Sequence, residues 1–558
     1  MQIFQNYNNY KKFEGEYKNW QNQKDLDNAK KAAYLKQNPV SEEEKQKATQ
    51  KGQTILRAVD IMDEYSQSKA EDAEVVTEQV GNELLSLAMM VGMIGGAFAV
   101  AAFKRPKALE QQIQKKDKGL LNPHLIIPFA VGMAASVAAS IPILSWTTQI
   151  QVGASRRGRF ESIRKELNNA QKFAVLDDKQ SQQLEELAKN VPVDEEMKKQ
   201  LKKRDIEQNP FTFFATAKEL LTKNKDYDIQ KEAFNSRLEK DKNNFNLPLT
   251  NKETLDAKKD QQLLLDVVQK VDIASQDYAE NVELATNSLN FATTFLAMGA
   301  AWGVSKILEH AKIKNKTLGN ILPWGTALVA SLGVGAYTTS VQKQASRIGR
   351  FKVKQELEKD PNNFVYIDDE KIKAMPDVPV EKPQKPGFFK FMKQVMKDHK
   401  EYKKYLKTEA IKDKQRQKAL DQIELSDEQI QEAKRLQHNT FKTFNKVDDN
   451  SQKYAESVEA VGQIVQSPIA NIGTLAGMAI GTAIAAKRMK KLPPEKIGND
   501  MISNSMPIFL GVMIGALPAV GFDIYITKEQ KKASRIADMM AIKELSDYRN
   551  FADYQNKK

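Results

Sequence analysis

The chain contains no cysteine and only four histidines in 558 residues. The first absence excludes disulfides and thiolate metal sites, and it fits a reducing compartment. His124, His310, His399 and His438 form no H-x-x-x-H or similar pair, and none recurs at a repeated position. No imidazole metal site and no histidine base is therefore expected. The patterns G-x-x-x-x-G-K-[ST] and G-x-G-x-x-G are missing, so no phosphate cradle is indicated. The first twenty residues lack an apolar h-region, so no cleavable secretory leader is expected. These absences point away from an enzyme, a cofactor and a catalytic residue.

Apolar residues make up 41% of the chain, and they are concentrated in six runs, near 84–103, 125–146, 289–308, 321–341, 464–486 and 506–526. Each is close to the ~20 residues that cross a hydrocarbon core. The runs fall in pairs, and Ala-Ser-Arg follows the second run of each pair, at Ala154, Ala345 and Ala533. The chain is thus one unit written three times, with repeats at about 1–208, 209–385 and 386–558. Asn209-Pro210 and the proline-rich stretch 375–387 mark the boundaries. Each repeat opens with an aromatic, lysine-rich stretch, at 10–20, 211–221 and 388–405.

Ser41, Thr250 and Ser426 are each followed three residues later by Glu44, Glu253 and Gln429. That spacing predicts a helix N-terminus with a capping box. From these caps the repeats align without gaps on Asp-x-x-Ser-Gln-x-x-Ala-Glu-x-x-Glu, which superposes Asp63, Asp272 and Asp448. A seam at alternating steps of four and three runs through Ile55, Val59, Met62 and Ser66, with Ser275 and Ser451 at the same place in the other repeats. This is the coiled-coil period, and the helix it describes continues into the first apolar run. The period leaves two partners open: the seams of the other repeats, with the serines in one layer, or the Ala-Ser-Arg helix of the same repeat, through Phe160, Ile163 and Leu167.

Arg156, Arg157, Arg159, Arg347, Arg350, Lys531, Lys532 and Arg535 lie just beyond the second runs and read as a collar at headgroup depth. Each collar arginine is expected to pair with acidic groups of its own repeat, such as Glu71, Glu280 or Glu456. The spacings Gly92 to Gly96, Gly299 to Gly303, Gly473 to Gly477 to Gly481, and Gly511 to Gly515 predict close helix packing. Asp177-Asp178 and Asp368-Asp369 read as caps, since no third metal ligand is in view. The P-x-[DE]-x-x-[KR] signature of mitochondrial carriers, another threefold repeat of paired spans, is missing.

The fold expected from the sequence is an all-α membrane protein of three tandem repeats. In each, a long capped coiled-coil-like helix runs into a two-helix transmembrane hairpin followed by a basic amphipathic helix. The expected function is a non-enzymatic multi-pass scaffold or interaction protein. A passive channel or transporter along a pseudo-threefold axis is the alternative, and a membrane-remodelling protein a weaker one. Expected partners are the bilayer with its anionic headgroups and a protein bound through the coiled-coil helices. Nucleic acid is not expected, because the +13 net charge comes with no groove-reading motif. Both termini are expected in the cytoplasm.

Overall fold

The computed structural model describes residues 2–103, 123–195, 197–198, 218, 225–310, 322, 344–380, 387–489 and 501–554. Every regular element among them is helical. They are α1 (Gln2–Gln37), α2 (Glu42–Phe103), α3 (Pro123–Lys165), α4 (Asp178–Asn190), α5 (Lys225–Asn243), α6 (Asn251–His310), α7 (Asp369–Ala374), α8 (Phe388–Lys407), α9 (Glu409–Leu420), α10 (Asp427–Met489) and α11 (Met501–Glu544). The segment 344–359 is also helical.

The helices α2, α6 and α10 begin directly after Ser41, Thr250 and Ser426. Glu253 donates its amide to the Thr250 hydroxyl at 3.2 Å, and the Thr250 amide donates to the Glu253 carboxylate at 2.6 Å. Ser426 and Gln429 repeat the exchange at 3.2 and 3.0 Å. These bonds satisfy amides that the first turn leaves without partners.

The three seams pack on one another. Ile55, Val59, Met62, Leu264, Val268, Val271, Phe444 and Val447 are buried in a single core. Burying each such aliphatic side chain contributes ~1.5–3 kcal/mol, so these layers hold the inner helices together. Around them stand the outer helices α3, 344–359 and α11. Phe160 and Ile163 of α3 and Leu167 just after it join the same core, as do Val353 and Leu357 of 344–359 and Ala541 of α11, so each seam meets its own outer helix as well. After each outer helix a 3-10 turn buries one ring, Phe173, Phe364 or Phe551.

The repeats succeed one another in a cyclic order. The turn 361–364 of the second repeat packs on α2, the turn 548–551 of the third on α6, and the turn 170–173 of the first on α10. The opening helices obey the same rule. Tyr10 and Tyr17 of α1 pack on Val458 and Ile536 of the third repeat. Tyr227 of α5 meets Phe160 edge to face at 5.4 Å. Tyr402 of α8 packs on Phe351 at 5.6 Å. The aromatic openings at 10–20 and 388–405 are therefore packing elements, whereas 211–221 lies outside the described residues apart from Lys218.

The membrane expectation is corrected. Among the described residues no helix is long and apolar enough to cross a membrane. A multi-pass membrane protein is not supported, nor is the scaffold, channel or remodelling role that was built on one. The integral multi-pass localisation loses its basis with it. Length near 20 residues is necessary for a span, but runs rich in alanine and glycine carry little apolar surface per residue. Nor do the second runs end where the basic segment begins. In the first and third repeats they continue into the Ala-Ser-Arg segment as one helix, α3 or α11, and no separate amphipathic helix is formed. The run 321–341 lies outside the described residues apart from Leu322, and so do the side chains of 84–103 and of most of 289–308.

The glycines of the third repeat pack closely. A Cβ on Gly473 would strike the Gly515 carbonyl, and one on Gly477 the Gly511 carbonyl; Gly481 approaches Gly511 from the same side. Gly303 has open space around it. The surroundings of Gly92, Gly96 and Gly299 lie outside the described residues.

Candidate functional site

The repeated Asp-x-x-Ser places an aspartate and a serine one turn apart on each inner helix, and the three copies meet in one buried layer. Ser66 donates to Asp448 at 2.8 Å, Ser275 to Asp63 at 3.2 Å, and Ser451 to Asp272 at 3.2 Å. Each serine therefore binds the aspartate of the preceding repeat, and the first repeat closes on the third. Oxygen atoms of Asp63, Asp272 and Asp448 all lie within 4.8 Å of one another. Ser66 also meets Ser155 of its own outer helix at 2.8 Å, and Ser451 meets Ser534 at 2.8 Å.

Two of the three junctions are completed by arginine. Arg159, wholly buried, binds Asp448, with its Nε donating to Asn445 at 2.9 Å and Nη1 to Ser155 at 2.7 Å. Arg350 binds Asp63, with Nε donating to Asp60 at 3.0 Å and Nη2 to Glu64 at 2.6 Å. Both sit five residues beyond the alanine of Ala-Ser-Arg. At that position the third repeat has Asp538. Asp538 is wholly buried beside the equally enclosed Asp272, so carboxyl stands near carboxyl.

The electrostatics reflect this arrangement. Burial pushes the Asp63 carboxyl up to about 6, with Arg350 offsetting part of the effect and Asp448 adding to it. Burial also drives Asp272 well above the usual carboxylate range, with Asp538, Asp448 and Asp63 adding to the shift. Asp538 is raised by burial and by Asp448, against the opposing effect of its contact with Asp272. Asp449 shows the reverse. Burial raises its carboxyl, but the Arg156 hydrogen bond and the charges of Arg159 and Arg156 outweigh that and hold it well below the ordinary range. Whether burial or the nearby cations prevail sets the direction in each case.

The basic collar is turned inward. Arg156 binds Asp449, Arg347 binds Glu64 at 2.9 Å and Glu71 at 3.9 Å, and Arg535 binds Asp277. Each arginine pairs with the preceding repeat in the ring, which corrects the expected pairing within one repeat. Lys531 meets Asp277 at 3.2 Å, Lys532 meets Glu14 of α1, and Arg157 lies over the Tyr227 ring at 5.9 Å. The collar is thus engaged by protein groups, with Arg156, Lys532 and Arg535 still partly exposed. The coiled-coil seam is likewise consumed, since Ser66, Ser275 and Ser451 are fully enclosed.

Asp177 caps α4 by accepting the Gln180 amide, and Asp368 caps α7, so these aspartate pairs are structural. A cavity of about 350 Å³ lies among Asn6, Ser145, Thr148, Gln149, Arg156 and Lys453, but both of its cations are bound to Asp449. Alignment of the repeats superposes Asp63, Asp272 and Asp448 without assigning them a site, and it does not single out Asp538. The signal was present in the triplet ASRRGR, ASRIGR, ASRIAD, where the last place reads Arg, Arg, Asp. No family model, no curated protein and no solved structure matches this chain.

Proposed function

We propose that this chain is a non-catalytic structural protein, a closed ring of three helical repeats that acts as one rigid body. The observation that supports it is the cyclic layer: each serine, and each of the two inward arginines, binds the aspartate of the preceding repeat, and Arg159 to Asp448 closes the ring. Coupling of this kind makes three tandem units one cooperative structure. The burial of Asp63, Asp272, Asp448 and Asp538 also argues against catalysis, because a substrate has no access to them. A protein partner would have to meet the outer faces of the ring, since the seams are used up inside it.

Hydrogen–deuterium exchange of the full chain tests this reading. Amides of 55–66, 264–275 and 440–451 are expected to open together, with one free energy. Opening of one repeat while the other two stay protected would overturn it.

A further inference from the structure

The geometry points to a hard divalent cation bound in the axial layer at the third junction, on Asp272 with Asp63 and Asp448 oxygens in reach and Asp538 beside it. The three junctions are internal controls for one another. In two of them a guanidinium fills the space beside the axial aspartate, Arg159 beside Asp448 and Arg350 beside Asp63. In the third a carboxylate stands at the place of the guanidinium.

The nearest basic groups do not make good the loss. Arg535 is committed to Asp277, and Lys24 of α1 is held by Gln269 and, at 3.8 Å, by Asp266. Both Asp538 oxygens, Asp272 Oδ1 and Asp63 Oδ1 are buried with no hydrogen-bond donor. Buried acceptors without a partner are costly, and a cation among them lowers that cost.

Charge and chemistry identify the class of ion. Asp63, Asp272, Asp448 and Asp538 have only the guanidiniums of Arg159 and Arg350 among them, and Asp449, Asp60 and Glu64 draw on the same two cations. The layer is short of positive charge when these carboxyls are ionised, which favours a divalent over a monovalent ion. The donors are carboxylate oxygens with serine hydroxyls beside them, and among the described residues no thiolate or imidazole joins the group. Such a set suits Mg²⁺, Mn²⁺ or Ca²⁺ over Zn²⁺ or copper. Placed there, the ion does for the third junction what Arg159 and Arg350 do for the other two, and it ties the second repeat to the third.

The test uses the full chain, stripped with a chelator and titrated with MgCl₂, MnCl₂ and CaCl₂ by calorimetry, with thermal unfolding followed in parallel. One site per chain is expected for at least one of these ions, together with a rise in Tm on saturation, since a ligand of the folded state alone stabilises it. Asp538→Arg rebuilds the third junction on the pattern of the other two. It is expected to abolish binding and to make the Tm independent of the ion. Asp538→Asn removes the charge beside Asp272 with little change of volume, and it is expected to weaken binding ~10-fold, since affinity follows the negative charge around the site. The proposal is overturned if the wild-type chain binds none of the three ions at ~1 mM, the weak end of protein sites. It is equally overturned if binding survives unchanged in both variants.

Discussion

Arg159 of the first repeat and Asp448 of the third form an ion pair with no exposure to solvent on either side. The pair joins the first and last repeats directly, and Arg156 to Asp449 reinforces it one turn away. Breaking it from one side strands a charge in the core. Arg159→Met is therefore expected to cost ~3–5 kcal/mol, the penalty for an uncompensated buried charge. Urea unfolding at neutral pH measures it. The exposed Lys47–Glu43 pair is the control, and Lys47→Met should leave the midpoint where it is.

Gly158 lies where α3 crosses α2, and a Cβ there would strike the Tyr65 carbonyl. Gly349 occupies the equivalent place against Ala274, whereas the third repeat has Ala537. Backbone cannot give way as a side chain does. Gly158→Ala is expected to destabilise by ~1–3 kcal/mol, the range for overpacking, despite alanine's better helix propensity. Gly153→Ala, in the same helix with nothing near it, should be neutral or slightly stabilising in the same denaturation assay.

Gly477 and Gly511 bring α10 and α11 into backbone contact. Gly477→Val would have to push the two helices apart. Faster hydrogen exchange is expected in 464–486 and 506–526, with the axial layer at 440–451 still protected. Equal exchange throughout would mean that the contact carries no local stability.

Thr250 and Glu253 exchange two hydrogen bonds at the start of α6. Thr250→Ala is expected to lower stability by ~1 kcal/mol. Thr250→Ser should restore most of it, because the hydroxyl is what the Glu253 amide needs.

Lys442 sits in α10 against the Asn550 carbonyl and the Phe551 ring, and burial pulls its ammonium down to about 8. Asp241 works against that shift and Arg237 with it, both from α5. The unfolded chain then binds more protons than the native state from about pH 8 to about 10.5, the ordinary lysine value. Stability from this group should therefore rise with pH across that window, by up to ~3 kcal/mol. Lys442→Met should remove the rise when ΔG of unfolding is compared at pH 7.5 and pH 10. An unchanged slope in the variant would assign the pH dependence elsewhere.

Local order was legible in the sequence because it depends on neighbours in the chain. The capping pairs placed the starts of α2, α6 and α10, since a cap needs only residues three apart. The four-three seam gave the buried face of each inner helix and put Ser66, Ser275 and Ser451 at one level, since the helical period is a backbone property. What a face meets is not in the period. Tertiary packing decided that the seams close on one another, that Arg156, Arg347 and Arg535 reach the preceding repeat, and that the aromatic openings cover a neighbour. The reading of the apolar runs fell on their own composition, since among the described residues no helix is long and apolar enough to cross a membrane. The change from Arg159 and Arg350 to Asp538 was visible in the sequence as a substitution between repeats. Only the fold set Asp538 against Asp272, where the missing guanidinium leaves two carboxyls without a cation, and in a buried layer that is a matter of several kcal/mol.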